Sequence, residues 1–146
     1  RLWRMRHGAY HACRALRPGA TGVVTDVCVP MSHLPAAVAA AAADIAGAGL
    51  IGPIVGHVGD GNFHAQILVE PGNATELAEA KRIATRMAER ALRVGGTITG
   101  EHGVGIGKRG LMAAEHGEGW QVMGAIKTAL DPRDILNPGK LVPDRN

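Results

Sequence analysis

The stretch GPIVGHVGDGNFHAQILVEP, residues 52–71, decides the fold. Two apolar segments, GPIVGHVG and NFHAQILVEP, flank Asp60-Gly61, the strongest short-range hairpin signal there is. A hairpin needs that turn, but it does not need His57 and His64 on either side of it. With the turn between them, both imidazoles can face the same way, close enough to share one ion. The plain alternative is a hairpin with two histidines at its polar edge, and spacing alone does not separate the two. The glycines favour the ion, because they leave the histidines unshielded, which a structural edge does not require.

Working outward, LWRMRHGAYHACRAL (residues 2–16) has its apolar residues at helical spacing, and Pro18-Gly19 end that helix. VVTDVCVP (residues 23–30) is β-branched and mostly alternating, and reads as a strand closed by Pro30. Ser32 offers an N-cap and Pro35 suits the first turn of a helix running to about Ala48, with Gly49 beyond it. After the hairpin, residues 73–96 form a long amphipathic helix, with Asn73 and Glu76 placed for a capping box and Gly95-Gly96 as its stop. TITG (residues 97–100) is a fourth short strand, and WQVMGAIKTAL (residues 120–130) a last helix before the proline-punctuated tail DPRDILNPGKLVPD. The central order is therefore strand, helix, strand, strand, helix, strand. The fold class is α+β: a ferredoxin-like βαββαβ antiparallel sheet with both helices on one face, plus an N-terminal helix and a C-terminal helix and tail. One sheet face is left bare, which suits a partner or another domain.

Composition narrows the function. Apolar residues make up 46% of the 146, enough for a packed core. Aromatics are 3%, so aliphatic side chains must fill that core. Glycine reaches 21 residues, where about 7% is usual, and it clusters around His57 and after Thr99. The charge of +3 is spread along the chain with no basic stripe, so nucleic acid is a poor partner. Cys13 and Cys28 have no metal spacing and read as plain thiols in a reducing compartment. No apolar run reaches the ~18 residues of a transmembrane helix. The expected location is cytoplasmic or peripheral to a membrane. The chain opens at Arg1 with helical periodicity at once, which suggests the end of a longer protein.

Other residues carry chemistry of their own. Two imidazoles and a carboxylate make a common ligand set for Zn, Mn or Fe, and Glu101 in TGEHGVG supplies a carboxylate after the fourth strand. Where a strand runs into a glycine loop, His102 can converge on the same site, with an ordinary pKa of about 6.5 that suits proton transfer. A solvated loop pair is the alternative for Glu101-His102. GIGKRG (residues 105–110) matches GxGxxG, but no returning strand follows, so a dinucleotide site is rejected. Arg109 stands where a phosphate-binding loop needs Ser or Thr. His7 and His11 are spaced for a metal but lack a nearby carboxylate, and read as surface residues. Arg4 and Arg6 belong to a solvated helix face unless one of them is buried against a carboxylate.

The motifs VGHVGDGNFH, TGEHGVGIGKR and LDPRDILNPGKL, in this order, resemble the C-terminal half of the FAD-linked oxidases of the vanillyl-alcohol oxidase type. Within it they are nearest the D-lactate dehydrogenase (cytochrome) and glycolate oxidase D subunit group, and the likeness runs from WRMRHGAY to NPGKLVP. The resemblance implies that residues 1–146 are the substrate-binding cap domain of a larger flavoprotein, whose N-terminal domain binds most of the FAD. It implies a divalent metal, Zn or Mn, on His57, His64 and Glu101, and His102 as general base. It implies that Arg6 holds the substrate carboxylate, that Tyr10 and Gln66 line the substrate, and that Asn137 lies near the flavin. The expected reaction is oxidation of D-lactate or glycolate to the 2-oxo acid, with metal-assisted hydride transfer to FAD and electrons passing to a cytochrome or quinone. Where the hydroxyglutarate enzymes of the family carry a lysine before the D-x-x-x-P stretch, this chain has Val24, which favours the smaller acids. The fragment alone is expected to be inactive. The competing readings are a stand-alone metal-binding ferredoxin-like module and a metal hydrolase without redox activity.

Overall fold

The computed structural model describes Met5 and residues 8–144, in two compact units, Arg1–Gly100 and Glu101–Asn146. The first unit is α+β. Helix α1 (Ala9–Ala15) leads to strands β1 (Thr21–Val24) and β2 (Val27–Cys28), then helix α2 (Leu34–Gly47). Strands β3 (Ile54–His57) and β4 (Asn62–Val69) follow, then helix α3 (Ala74–Arg93).

β4 is the middle of the sheet, and β1, β2 and β3 each pair with it antiparallel. β2 and β3 share Asn62 and Phe63 as partners, so they flank β4 on opposite sides. The expected strand over residues 23–30 is split at Thr25-Asp26. The cause is a side chain: Thr25 Oγ1 accepts the Ala65 N–H at 2.8 Å and takes the place of a ladder carbonyl. TITG is not a strand either. It contributes one bridge, Cys28 with Thr97, closed by hydrogen bonds of 3.2 and 2.8 Å. Beyond that bridge Asp26 accepts from Thr99 Oγ1 and Gly100 N, which draws the chain off the ladder. The order of segments across the sheet is still that of the ferredoxin-like plan.

α2 and α3 pack on each other and both meet β4. The α3 residues Ala80, Ile83, Met87 and Ala91 are buried at three- and four-residue intervals, which is why the segment is helical. Asp44 of α2 pairs with Arg90 and Arg86 of α3, and chiefly the Arg90 hydrogen bond holds its carboxyl below the usual range. Asn73 caps α3 by accepting from Glu76 N at 3.1 Å. The reciprocal half of the capping box is missing, because the Glu76 carboxylate is taken by Arg17 at 2.7 Å and Glu70 N at 2.8 Å. Ser32 does not cap α2. It sits inside a 3₁₀ turn (Met31–His33), and His33 occupies the cap position without a side-chain bond. Nor is the second sheet face bare at β4: all eight of its residues are buried, and α1 lies against it, with Gln66 Nε2 reaching Tyr10 O at 3.5 Å.

The hairpin forms through a 3₁₀ turn (Val58–Asp60) and Gly61. Gly61 has φ 74°, and a Cβ there would lie 2.0 Å from Val29 O, so only glycine fits.

In the second unit, helix α5 (Glu118–Leu130) starts earlier than expected and is preceded by a short helix the sequence did not reveal, α4 (Met112–His116). The tail is irregular, as expected. Gly105 O accepts Leu141 N at 2.9 Å, and Arg109 Nε donates to Val142 O at 2.7 Å, so GIGKRG here anchors the tail. Buried Asp131 accepts from Ile135 N and Leu136 N at 3.1 and 2.8 Å and pairs with Lys127. The Lys127 hydrogen bond is the main cause of a carboxyl pKa lowered to about 2. A depressed folded pKa contributes stability that is present above the ordinary value of 3.8 and lost as pH falls through about 2. Replacing Lys127 with Met is therefore expected to lessen the acid sensitivity of this unit. The fall in Tm between about pH 5 and pH 2 should be smaller in the variant; an unchanged acid limb would contradict this.

Candidate metal centre

Alternation along β4 puts Phe63, Ala65, Ile67 and Val69 on one face and Asn62, His64, Gln66 and Leu68 on the other. The first row is apolar core. The second carries three polar side chains that are 6%, 7% and 4% exposed, and buried polar groups of this kind need a reason. His57 stands opposite Asn62 in the β3–β4 register, so it shares the face of His64. The two rings lie 6.4 Å apart, nearly perpendicular at 87°.

His64 Nδ1 is 3.1 Å from Thr25 O and 3.5 Å from Asp26 Oδ1. Both are acceptors, so the network assigns the hydrogen to Nδ1 and leaves the lone pair on Nε2. That is the tautomer and the backing of a metal-bound histidine. Asp26, 2% exposed, is the hub beneath it. Its Oδ1 accepts Asn62 Nδ2 at 2.9 Å, and its Oδ2 accepts Thr99 Oγ1 at 2.8 Å and Gly100 N at 2.9 Å. A Cβ on Gly100 would come within 1.5 Å of Asn62 Nδ2, so the glycine permits this approach.

Glu101 follows Gly100 directly, is exposed, and has His102 Nε2 3.8 Å from its Oε1. Within the first unit the hairpin thus brings His57 and His64 together as a pair of imidazoles that could serve one metal ion. Two imidazoles and a carboxylate fit Zn or Mn chemically. Of the expected substrate residues, Gln66 is buried in the same row as His64 and Tyr10 is 46% exposed, its carbonyl accepting from Gln66. Arg6 lies outside the described residues. Asn137 is exposed in the tail, at φ 52°, and accepts from Lys140 Nζ at 2.9 Å. Sequence reasoning missed Thr25, Asp26 and Asn62. The available signal was an aspartate in the middle of a strand-like run, where an ionisable residue is out of place. No described helix is long and apolar enough to cross a membrane.

Comparison with known proteins adds to this geometry. A family model described as FAD linked oxidases, C-terminal domain, matches residues 1–141. The chain is 48% identical over 143 residues to the "Probable D-lactate dehydrogenase, mitochondrial" of Danio rerio, covering 97% of this chain and 29% of that protein. It is 44% identical to the "D-lactate dehydrogenase [cytochrome], mitochondrial" of Arabidopsis thaliana, over 97% of this chain and 25% of that one. It is 39% identical to the "Glycolate oxidase subunit GlcD" of Bacillus subtilis, over 96% and 30%. The chain thus spans less than a third of the length of these relatives.

Proposed function

Because the chain belongs to the family of FAD linked oxidases, C-terminal domain, we propose that it is the substrate-binding cap of a flavin-dependent dehydrogenase. That enzyme oxidises D-lactate, or glycolate, to the 2-oxo acid. The names of its relatives support the substrate class. The observation that carries the metal part is the buried His64 imidazole, its Nδ1 hydrogen directed at Thr25 O and its ring beside His57.

His57, His64 and Glu101 are the proposed ligands of a divalent Zn or Mn ion. When bound, the metal supplies positive charge that lowers the pKa of a substrate hydroxyl, and FAD, held mostly by a separate domain, supplies the hydride acceptor. His102 takes the hydroxyl proton as general base. Arg6 clamps the substrate carboxylate, and Tyr10 and Gln66 close around the small acid, so that the reacting groups are held in place. Val24 leaves a second carboxylate without a cation, which favours lactate or glycolate over a dicarboxylic acid. Asn137 is proposed to face the flavin. Electrons then leave to a cytochrome or quinone, consistent with a cytoplasmic or membrane-peripheral setting.

The test uses the full-length flavoprotein. Anaerobic D-lactate or glycolate is expected to bleach the flavin absorbance, and elemental analysis to find about one Zn or Mn per chain. A flavin that no 2-hydroxy acid reduces would overturn the reading.

A further inference from the structure

We infer that Asp26 is a positioning residue for the proposed metal centre, backing with its negative charge the His64 imidazole whose tautomer Thr25 O fixes, and holding the segment that leads into Glu101. The inference rests on the metal reading above. One carboxylate does both jobs. Its Oδ1 lies 3.5 Å from His64 Nδ1 and accepts Asn62 Nδ2 at 2.9 Å. Its Oδ2 accepts Thr99 Oγ1 at 2.8 Å and Gly100 N at 2.9 Å, at the residue before Glu101. Asn62, Thr99 and Gly100 each donate a hydrogen to it, and His64 Nδ1, bonded to Thr25 O, lies 3.5 Å away, so a group that only accepts suits this position.

An amide cannot satisfy this arrangement. If the side-chain oxygen of an Asp26→Asn variant stays toward His64 and Asn62, its NH₂ faces the Gly100 N–H, donor against donor. If the amide flips, the NH₂ faces the Asn62 NH₂ and the His64 Nδ1–H. In either state Thr25 O holds the imidazole hydrogen on Nδ1, but the negative charge behind the ring is gone and a donor faces a donor, which weakens the imidazole as a ligand and loosens the segment before Glu101. Partners behind metal ligands typically account for about 10- to 100-fold in affinity.

The experiment is a competition titration of Zn with a chromophoric chelator, on the full-length protein and its Asp26→Asn and Thr99→Val variants. It is paired with ¹⁵N NMR of the histidine rings in the metal-free state. Asp26→Asn is expected to bind Zn about 10- to 100-fold more weakly while keeping the Nδ1–H signature of His64 that Thr25 O holds. Thr99→Val removes one hydrogen bond without touching the imidazole. It is expected to weaken Zn about 10-fold while keeping the Nδ1–H form, and it serves if Asp26→Asn does not fold. A general loss of structure would not weaken Zn binding and leave the Nδ1–H signature of His64 in place. Unchanged Zn affinity in a folded variant, with wild-type binding intact, overturns the inference and leaves the metal reading standing. A wild-type protein that binds no Zn or Mn overturns the metal reading itself, and the inference with it.

Discussion

Replacing His57 or His64 with alanine in the full-length protein is expected to remove the metal and to lower kcat by about 10³-fold or more, since Lewis-acid stabilisation accounts for several kcal/mol. The two side chains project from neighbouring strands onto one face, so removing either leaves the proposed site one imidazole short. His102→Ala should behave differently. As the proposed base it should cost about 10² to 10⁴ in kcat and keep the metal. Elemental analysis beside steady-state kinetics separates the two outcomes. Full activity with retained metal in either ligand variant would remove the basis for the assignment, while loss of metal in His102→Ala would make that residue a ligand and leave the base unassigned.

The second large effect is structural. Gly61→Ala is expected to destabilise the protein by about 4 kcal/mol, combining a left-handed backbone with a backbone clash. The new Cβ would sit 2.0 Å from Val29 O, and that carbonyl cannot swing away because Val29 N is itself bonded to Gly61 O at 3.0 Å. Two nearby glycines act as controls. Gly59 has open space and needs no positive φ, so Gly59→Ala should stay within about 0.5 kcal/mol of wild type. Gly72, at φ 83° with nothing near it, should cost about 1 kcal/mol. Urea unfolding midpoints give the ranking directly, and equal shifts at Gly61 and Gly59 would refute it.

What the sequence revealed of the fold was local in origin. The β3–β4 hairpin, α3 and its Asn73 cap each depend on residues a few positions apart, and each was readable. The break at Thr25-Asp26 was not. It depends on an Ala65 N–H far along the chain and on Thr99 and Gly100 farther still. For the same reason TITG looked like a strand: its composition is right, but Asp26 competes for its backbone after one bridge. Glu76 was expected to cap, and an arginine from before β1 holds its carboxylate instead. His57, His64 and Glu101 could be proposed as ligands from spacing and resemblance. The residues behind them could not, because buried polar hubs are defined by who surrounds them.

β3 also bears on solubility. Among the described residues it pairs with β4 along one side and with no strand along the other. Such a rim invites a strand from a second molecule, and the exposed Ile51 and Val55 add to that hazard. Its brevity is the safeguard: four residues, with Pro53 just ahead lacking an N–H to donate and Gly56 lacking a side chain to interdigitate. An intruding chain finds few matched partners there, which limits edge-to-edge pairing at the strand that carries His57.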